Sequence, residues 1–333
     1  MNTPVASSTA ASPYPEIAPV ASGPRPFWSV MIPTYNCAGY LAHTLRSVLD
    51  QAPSPDEMQI EVVDDRSNRD DPAAVVREIG ADRVTFFLQP SNVGPQANFT
   101  TCVRRARGHW VHILHGDDMV RDGFYAALRR GVEQAPSAHA AFCRVMTIDA
   151  SNAWMEPSEL ESDKPGIVAD LLERLAVFNG IMFPSIVVRR SAYESLGGFH
   201  PELFHAADWD MWKRIAAHYP VWYEPEALAL YRIHQQSDTS RLMRTGANIR
   251  DARHAITVAE RYLPADCAAR LSRQARLHHA LYALEVARER VRASDWPAAA
   301  AQIREALACS SAWPVWRTLL GLPASSRTSQ ARS

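Results

Sequence analysis

The stretch HILHGDDMVRDG, residues 112–123, sets an apolar run directly against two adjacent carboxylates. The run from Trp110 to Leu114 has the composition of a buried strand, and Asp117 and Asp118 follow it after two residues. Adjacent carboxylates repel each other and lose hydration at the end of a buried strand. The pair therefore indicates either a polar turn or a site for a cation, and these residues alone leave both open.

Strand and helix patterns alternate on both sides of this stretch. Apolar strand patterns lie at 28–33, 58–63, 84–88, 109–114 and 139–146, and helical patterns lie between them. Such alternation predicts βαβ units and a mostly parallel sheet. Right-handed crossovers bring the loops that follow the strands to one sheet edge. Polar clusters occur in three such loops, so we expect them to form one site: 33–36, 64–67 and 115–118.

The second half of the chain is less regular. We predict helices over 165–178 and 208–219, a strand over 183–190, and two separate strands over 221–224 and 227–234. After about residue 241 strand patterns end, and helices rich in Ala, Arg and Leu continue without a repeat of fixed period. The predicted organisation is a disordered leader, an α/β domain, a helical C-terminal region and a disordered tail, over 1–26, 27–240, 241–320 and 321–333.

Composition excludes several classes of protein. The chain has 333 residues, 47% of them hydrophobic, with a formal net charge of −1, so no global basic field indicates a nucleic-acid-binding protein. The five cysteines are scattered and form no CxxC, which favours a reducing compartment. No stretch approaches 18 consecutive apolar residues, and the N-terminus lacks a signal-peptide pattern. We expect a cytoplasmic protein.

The charge is distributed unevenly along the chain. From Thr239 onward there are fifteen Arg, no Lys and seven acidic residues, a surplus of eight positive charges. This surplus indicates either peripheral contact with an anionic membrane, at the inner face of the cell membrane, or solvated arginines on helix faces. No GxGxxG follows the first strand, which excludes a Rossmann oxidoreductase.

Five motifs occur in an order and at a spacing that resemble a known family. They are SVMIPTYN (29–36), EVVDDRS (61–67), ARGHWVHILHGDD (106–118), RRSAYESLGGF (189–199) and DWDMWKRIA (208–216). Over roughly residues 29–234 the chain resembles the bacterial family 2 glycosyltransferases, which have the GT-A fold, a Rossmann-like, mostly parallel sheet with flanking helices. The resemblance implies an inverting, metal-dependent transferase that moves a sugar from a nucleotide-diphosphate donor, expected to be a UDP-sugar.

The same resemblance implies a saccharide or lipid-linked saccharide acceptor in cell-surface polysaccharide synthesis. The alternative is a catalytically inactive nucleotide-sugar-binding protein of the same fold. Two departures from the family pattern support that alternative. His115 stands where the family often has an acid, and Ala207 replaces the usual Glu before Asp208.

By resemblance, the paired carboxylates are the metal and donor site. Asp117 and Asp118 would hold Mn²⁺ or Mg²⁺, because hard divalent cations take oxygen ligands and neutralise charge on a leaving diphosphate. Asp117 is also expected to contact the nucleotide sugar. His234 is a candidate metal ligand or a structural histidine, and His115 a candidate ligand contact or a structural histidine.

The resemblance assigns further residues to the nucleotide. Asp65 would accept a hydrogen bond from the nucleobase and Asp64 would hold its loop, and for either residue the alternative is a cap of the next helix. Pro33 and Tyr35 would contact the nucleotide, with Tyr35 stacking on the base. Arg232 would bind phosphate through its planar fork of donors.

The resemblance also implies that Asp208 is the general base, which takes the proton that the acceptor hydroxyl loses as it attacks the anomeric carbon. The open alternative is a helix N-cap. Asp210 lies about 200° further around the helix and is predicted to be structural. Trp209 and Trp212 are predicted core residues, although Trp209 is also a candidate sugar contact. GGF (Gly197, Gly198 and Phe199) is expected to form the floor of the acceptor site, where the glycines allow a tight turn.

Overall fold

The structure is a computed structural model, and it describes residues 12–234 and 238–322. Within those residues one sheet contains ten strands. They are β1 (Trp28–Thr34), β2 (Met58–Asp64), β3 (Thr85–Leu88), β4 (Trp110–Ile113), β5 (Met119–Val120), β6 (Ala140–Ile148), β7 (Trp154–Pro157), β8 (Gly166–Ile167), β9 (Ile186–Arg189) and β10 (Val221–Arg232).

Helices flank this sheet and then form the C-terminal region. They are α1 (Ala38–Leu49), α2 (Pro72–Val75), α3 (Pro95–Arg105), α4 (Phe124–Gln134), α5 (Leu171–Val177), α6 (Arg190–Leu196), α7 (Ala207–His218), α8 (Asp238–Thr245), α9 (Ala247–Ala259), α10 (Ala268–Arg292), α11 (Trp296–Cys309) and α12 (Trp313–Leu320). Among the described residues, no helix is both long and apolar enough to cross a membrane.

The strand order is β3-β2-β1-β4-β9-β6-β10-β5, with β7 beside β6 and β8 beside β10. The predicted α/β architecture is confirmed, and β1 to β4 are parallel as expected. The sheet is nevertheless mixed, because β9 runs antiparallel between β4 and β6. An antiparallel strand does not need a helical crossover to reach its neighbour. The alternation of strands and helices in the sequence therefore does not predict the antiparallel direction of β9.

Both faces of the central strands are covered, so all residues of β1, β2 and β4 are buried. Val30 and Ile32 pack in the cluster that contains Leu41 and Leu45 of α1, whereas Met31 belongs to the cluster on the opposite face. Successive strand residues point to opposite faces, which explains the continuous apolar runs in the sequence. These runs fix where each strand ends and its loop begins.

Two predictions for the second half were wrong in detail. The strands expected over 221–224 and 227–234 are one strand, β10, with register shifts between Glu224 and Ala229. Pro225 lies in this bulged part, where a missing N–H breaks no regular ladder. The helix expected over 165–178 is shorter and consists of α5 alone. Its expected first residues include Gly166 and Ile167, which form strand β8 and pair with β10 instead.

Part of the predicted leader has a defined place. Ile17 is 1% exposed, and the Pro15 carbonyl accepts a hydrogen bond from the Gly198 N–H at 2.7 Å. Gly197 has φ 79°, and a Cβ there would lie 2.8 Å from the Cβ of Tyr14. The glycines of GGF therefore contact this segment, residues 12–26, and only residues 1–11 of the expected disordered leader lie outside the described residues. The tail beyond residue 322 also lies outside them.

The helical C-terminal region shares a core with the α/β domain. Ala252, Ala255 and Ile256 of α9 are buried in the same cluster as Trp209 and Trp212 of α7. A second cluster joins α9 to α10, α11 and α12. The packing of α9 against α7 brings the C-terminal region next to the candidate base.

Candidate active site

The acid loop, residues 115–118, follows β4 and is held against β1 and α1. The Thr44 hydroxyl donates to the Gly116 and Asp118 carbonyls, at 3.0 and 2.7 Å, and the Gly116 N–H donates to the Pro33 carbonyl at 3.1 Å. A Cβ on Gly116 would lie 2.7 Å from the Thr34 methyl carbon. Only glycine allows this approach, and Pro33, whose side chain is buried, contributes through its backbone.

The two carboxylates of the acid loop differ in their surroundings. Asp118 is 1% exposed, and its Oδ1 accepts the Arg232 N–H at 2.9 Å. Its Oδ2 is buried without a hydrogen-bond partner among the described residues. Burial and the adjacent Asp117 charge raise the pKa of Asp118 well above its ordinary value. Asp118 Oδ2 is thus a buried acceptor that lacks a donor, as a cation ligand would be.

Asp117 is the charged member of the pair. Burial alone would raise the pKa of Asp117. The hydrogen bond from His234 Nε2 at 3.0 Å and the charge of His115 lower this pKa by more than burial raises it, so the pKa lies below its ordinary value. One ligand atom from each of His115, Asp117 and Asp118 lies within 4.8 Å of the others. Two oxygens and one imidazole nitrogen at this spacing fit a small divalent cation.

His115 lies over an aromatic layer. Its ring stacks on Phe99 at a centroid distance of 5.1 Å and contacts Phe183 at 4.5 Å, and its Nδ1 lies 3.9 Å from Asp118 Oδ2. Phe199 of GGF packs beneath the same two rings. The aromatic contacts fix the imidazole beside the carboxylates, so its structural and ligand roles are compatible.

Arg232 and His234 hold the acid loop from behind. Arg232 is buried, and its Nε and Nη1 donate to the carbonyls of Asp117 and Asp149 at 2.7 and 2.9 Å. Its guanidinium lies over the Tyr40 ring, which also contacts His234. His234 reaches the acid loop through Asp117 and is outside the cluster of three candidate ligands. Phosphate binding by Arg232 and metal binding by His234 stay predictions.

The two carboxylates of the second polar loop, residues 64–67, are both engaged in hydrogen bonds within the protein, and nucleotide binding by Asp65 stays a prediction. Asp64 accepts from the Thr34 hydroxyl at 3.1 Å and from the Ser67 N–H at 2.9 Å, so it holds its own loop. Asp65 accepts the N–H groups of Val93 and Gly94 at 2.7 and 2.9 Å. Burial raises the pKa of Asp65, and these two bonds oppose that rise.

Asp208 lies in the first turn of α7 and is not its N-cap. The N-cap residue is Ala206, so the capping interpretation of Asp208 was wrong. Asp208 Oδ1 accepts the Trp209 N–H at 2.6 Å, and Oδ2 accepts from Asn179 Nδ2 at 3.1 Å. Burial raises the pKa of Asp208 to about 7, against the effect of both hydrogen bonds. A carboxylate with this pKa suits proton transfer near neutral pH.

Electrostatics connects Asp208 to the acid loop. Burial raises the pKa of Tyr231, and the charges of Asp118, Asp117 and Asp208 all raise it further. All three carboxylates therefore act on one hydroxyl, at the end of β10. Phe183 makes a second connection, because its ring contacts both His115 and Trp212 of α7, at 4.5 and 5.5 Å.

The neighbours of Asp208 on α7 have structural roles. Asp210 is fully buried and accepts from Arg214 Nε and from the Tyr262 hydroxyl, both at 2.9 Å, as predicted for a structural residue. Trp209 and Trp212 are buried core residues. The indole N–H of Trp209 donates to the Leu175 carbonyl, which holds this side chain in the core.

Sequence reasoning missed two residues around the candidate base. Asn179 donates to Asp208, and Asp251 accepts three backbone N–H groups from the turn before α7. Asp251 lies 43 residues beyond Asp208 in the chain. No local pattern marks either residue, because their roles depend on how distant segments pack.

Sequence comparisons identify similar proteins. A family model described as "Glycosyl transferase family 2" matches residues 29–197. An uncharacterized protein of Mycobacterium tuberculosis (strain CDC 1551 / Oshkosh) is 28% identical over 244 residues, 70% of this chain and 75% of that protein. The succinoglycan biosynthesis protein ExoO of Rhizobium meliloti (strain 1021) is 32% identical over 122 residues, 37% of this chain and 33% of that protein.

Solved structures with the GT-A fold match most of the chain. A mannosyltransferase of Pyrobaculum calidifontis, solved with GDP-Man and Mn²⁺, has a TM-score of 0.56 and 20% identity, covering 93% of this chain and 82% of that one. Staphylococcus aureus TarS 1–349, solved with UDP-GlcNAc, has a TM-score of 0.54 and 14% identity, covering 85% of this chain and 90% of that one. At these identities the similarity establishes the fold.

Proposed function

The chain belongs to glycosyl transferase family 2 and is a glycosyltransferase, and from this premise we propose that it is an inverting, metal-dependent enzyme. One observation carries the proposal. Ligand atoms of His115, Asp117 and Asp118 lie within 4.8 Å of one another, and the Phe183 ring contacts both His115 and Trp212 of α7, the helix that carries Asp208, so the candidate cation site and the helix of the candidate base meet at one aromatic ring. The alternative of a binding protein without catalysis is disfavoured, because the base and both acid-loop carboxylates are retained.

A divalent cation, Mn²⁺ or Mg²⁺, fits the acid loop. Asp118 Oδ2 lacks a hydrogen-bond partner among the described residues, and His115 and Asp117 supply further ligand atoms nearby. A cation bound there would neutralise charge on the leaving diphosphate. The Mn²⁺ in the mannosyltransferase complex supports this proposal.

The donor is proposed to be a UDP-sugar bound across the ends of β1 and β2. Tyr35 is 46% exposed and is available to stack on a base. Each Asp65 oxygen accepts one loop N–H and retains a lone pair for the N3–H of uracil. Similar structures hold UDP-GlcNAc and GDP-Man, so thermal shifts with UDP and with GDP distinguish the two nucleotides.

Asp208 is proposed to take the proton of the acceptor hydroxyl. As that oxygen bonds to the anomeric carbon, the bond from this carbon to the diphosphate oxygen breaks and the nucleoside diphosphate leaves. Attack from the side opposite the leaving group inverts the anomeric configuration. Asn179 orients the carboxylate for this step, because it donates to Asp208 Oδ2.

The pH dependence of kcat tests this role. Asp208 accepts a proton only when ionised, so kcat is expected to rise with pH and to level off above about pH 7. The Asn179 hydrogen bond favours the ionised form, so Asn179→Ala is expected to move the rise to higher pH. A profile that is flat between about pH 5.5 and 8 would contradict the assignment.

We propose that α12 contacts an anionic membrane, where a lipid-linked saccharide acceptor would lie. Trp313, Trp316 and Leu320 are 70%, 43% and 78% exposed, and their spacing places them on one helix face. Arg317 is also exposed, and no acidic residue follows Glu305 in the sequence. Exposed Trp and Leu beside Arg are typical of helices that bind at an anionic interface.

The double variant Trp313→Ser, Trp316→Ser is expected to reduce binding to vesicles containing anionic lipid by at least about fivefold, because the interfacial aromatic area is lost. Vesicle co-sedimentation measures the effect, and added salt is expected to weaken wild-type binding. Trp154→Ser is the matched control, since Trp154 is also exposed but lies on β7. Equal binding of the double variant and wild type would refute contact through α12.

A further inference from the structure

The turn that leads into α7 is held by a carboxylate from the C-terminal region. Asp251 of α9 accepts the Phe204 N–H through Oδ1 at 3.2 Å. Its Oδ2 accepts the N–H groups of His205 and Ala206 at 2.6 and 2.7 Å. Ala206 is the N-cap of α7 and has no side-chain cap of its own. Asp251 therefore accepts the N-cap N–H from another helix, as the Glu or Gln of a capping box does within its own helix.

This arrangement is stabilising for two physical reasons. Backbone N–H groups at a helix N-terminus lack intrahelical partners, and a carboxylate that accepts them forms charge-assisted hydrogen bonds. A negative charge also interacts favourably with the positive end of the helix dipole. Asp208 comes two residues after Ala206, so the path of this turn determines where the Asp208 carboxylate lies.

Asp251 is itself on a firmly packed helix. Its neighbour Ala252 is buried in the main core, together with Ala255 and Ile256. Arg250 and Arg253 form ion pairs with Glu305 of α11 at 3.0 and 3.1 Å. These contacts restrain α9 on both sides, so the Asp251 carboxylate has a fixed position relative to the turn.

We propose that Asp251 is a positioning residue for the catalytic base, and that the C-terminal region completes the active site through it. The proposal rests on the proposed role of Asp208. It gives α9 a function in sugar transfer that is separate from the membrane contact proposed for α12. The base is thus held by groups from two sides, Asn179 on its carboxylate and Asp251 on the backbone that precedes it.

Asp251 also affects the charge balance around the base. Lys213 on its own helix, Tyr231 of β10 and Asp251 of α9 are charged or titratable groups that interact with Asp208. The negative charge of Asp251 contributes to the raised pKa of Asp208. Removing this charge is expected to move the rise in kcat to lower pH, whereas displacing the turn lowers kcat at every pH.

Three variants separate these two effects. Asp251→Asn removes the charge and at least one of the three hydrogen bonds, so we expect kcat to fall by about ten- to a hundredfold and its pH rise to move to lower pH. Asp251→Glu keeps the charge but displaces the carboxylate, so we expect a lower kcat with the rise near its wild-type pH. Asp266→Asn is the matched control, because it removes an exposed charge in the same region and is expected to behave as wild type.

Amide hydrogen exchange of residues 204–206 supplies a readout that does not depend on activity. We expect faster exchange there in Asp251→Asn and Asp251→Glu, with UDP affinity unchanged. If Asp251→Asn does not fold, Asp251→Glu carries the test. Unchanged exchange, or faster exchange with wild-type kcat, would overturn the proposal. Full activity of Asp208→Asn in the same assay would instead reject the base assignment, while exchange would still report whether Asp251 holds the turn.

Discussion

Asp208→Asn is expected to reduce kcat for sugar transfer by at least about a hundredfold, because a neutral amide cannot take a full proton from the acceptor. The amide keeps the size of the carboxylate and can still accept the Trp209 N–H, whereas its NH2 group cannot accept the hydrogen bond that Asn179 donates in the wild type. Since Ala206 is the N-cap, no capping bond is lost, and the melting temperature is expected to stay close to that of wild type. Steady-state kinetics with a saturating donor measures the loss.

The matched control for this substitution is Asp122→Asn. Asp122 is an exposed carboxylate shortly after the acid loop, so its loss changes the net charge equally without touching the base. We expect wild-type kcat for this control. Near-normal transfer by Asp208→Asn would rule out Asp208 as the general base.

Chelation of divalent cations is expected to weaken UDP binding by at least about tenfold. Without a cation, the charged Asp117 carboxylate repels the diphosphate, whereas a bound cation attracts it. Calorimetric titration of UDP with Mn²⁺ and with EDTA measures the difference. Uridine, which lacks the diphosphate, is the control ligand, and its affinity is expected to be the same in both conditions.

Asp118→Asn tests whether that cation is held at the acid loop. The variant replaces the buried Oδ2 that has no hydrogen-bond partner among the described residues. We expect its UDP affinity to respond little to Mn²⁺ or EDTA. Equal UDP affinity of the wild type in Mn²⁺ and EDTA would refute the metal role, and a full Mn²⁺ response in Asp118→Asn would place the cation elsewhere.

The acid loop and the first half of the fold were predictable because their signals are local. Met31 and its neighbours in β1 form a continuous apolar run, and each such run in β1, β2 and β4 marks a strand that is buried on both faces. The polar residues that follow each of these runs therefore lie at the same edge of the sheet. This reasoning placed Asp117 and Asp118 at that edge. For Asp64, the structure agrees with the first of the two expected roles, because Asp64 accepts a hydrogen bond within its own loop.

The features that sequence reasoning missed depend on long-range packing. The antiparallel strand β9 between β4 and β6 has the same apolar pattern as a parallel strand, so its direction is invisible in the sequence. The proline-rich segment 12–26 has a disordered composition, yet Ile17 finds a place in the main core. In the sequence, Asp251 is similar to any other acidic residue on a helix. Only the packing of α9 against α7 brings its carboxylate to the three backbone N–H groups that it accepts.

Real-time ¹H NMR of donor hydrolysis tests the central claim, a single displacement with Asp208 as base, most directly. Water replaces the unknown acceptor in this measurement, and the first free sugar formed reports the stereochemistry before the anomers equilibrate. With an α-linked UDP-sugar and Mn²⁺, we expect the β anomer to appear first and Asp208→Asn to slow its formation by at least about a hundredfold. First appearance of the α anomer, or equal rates in the two proteins, would contradict it.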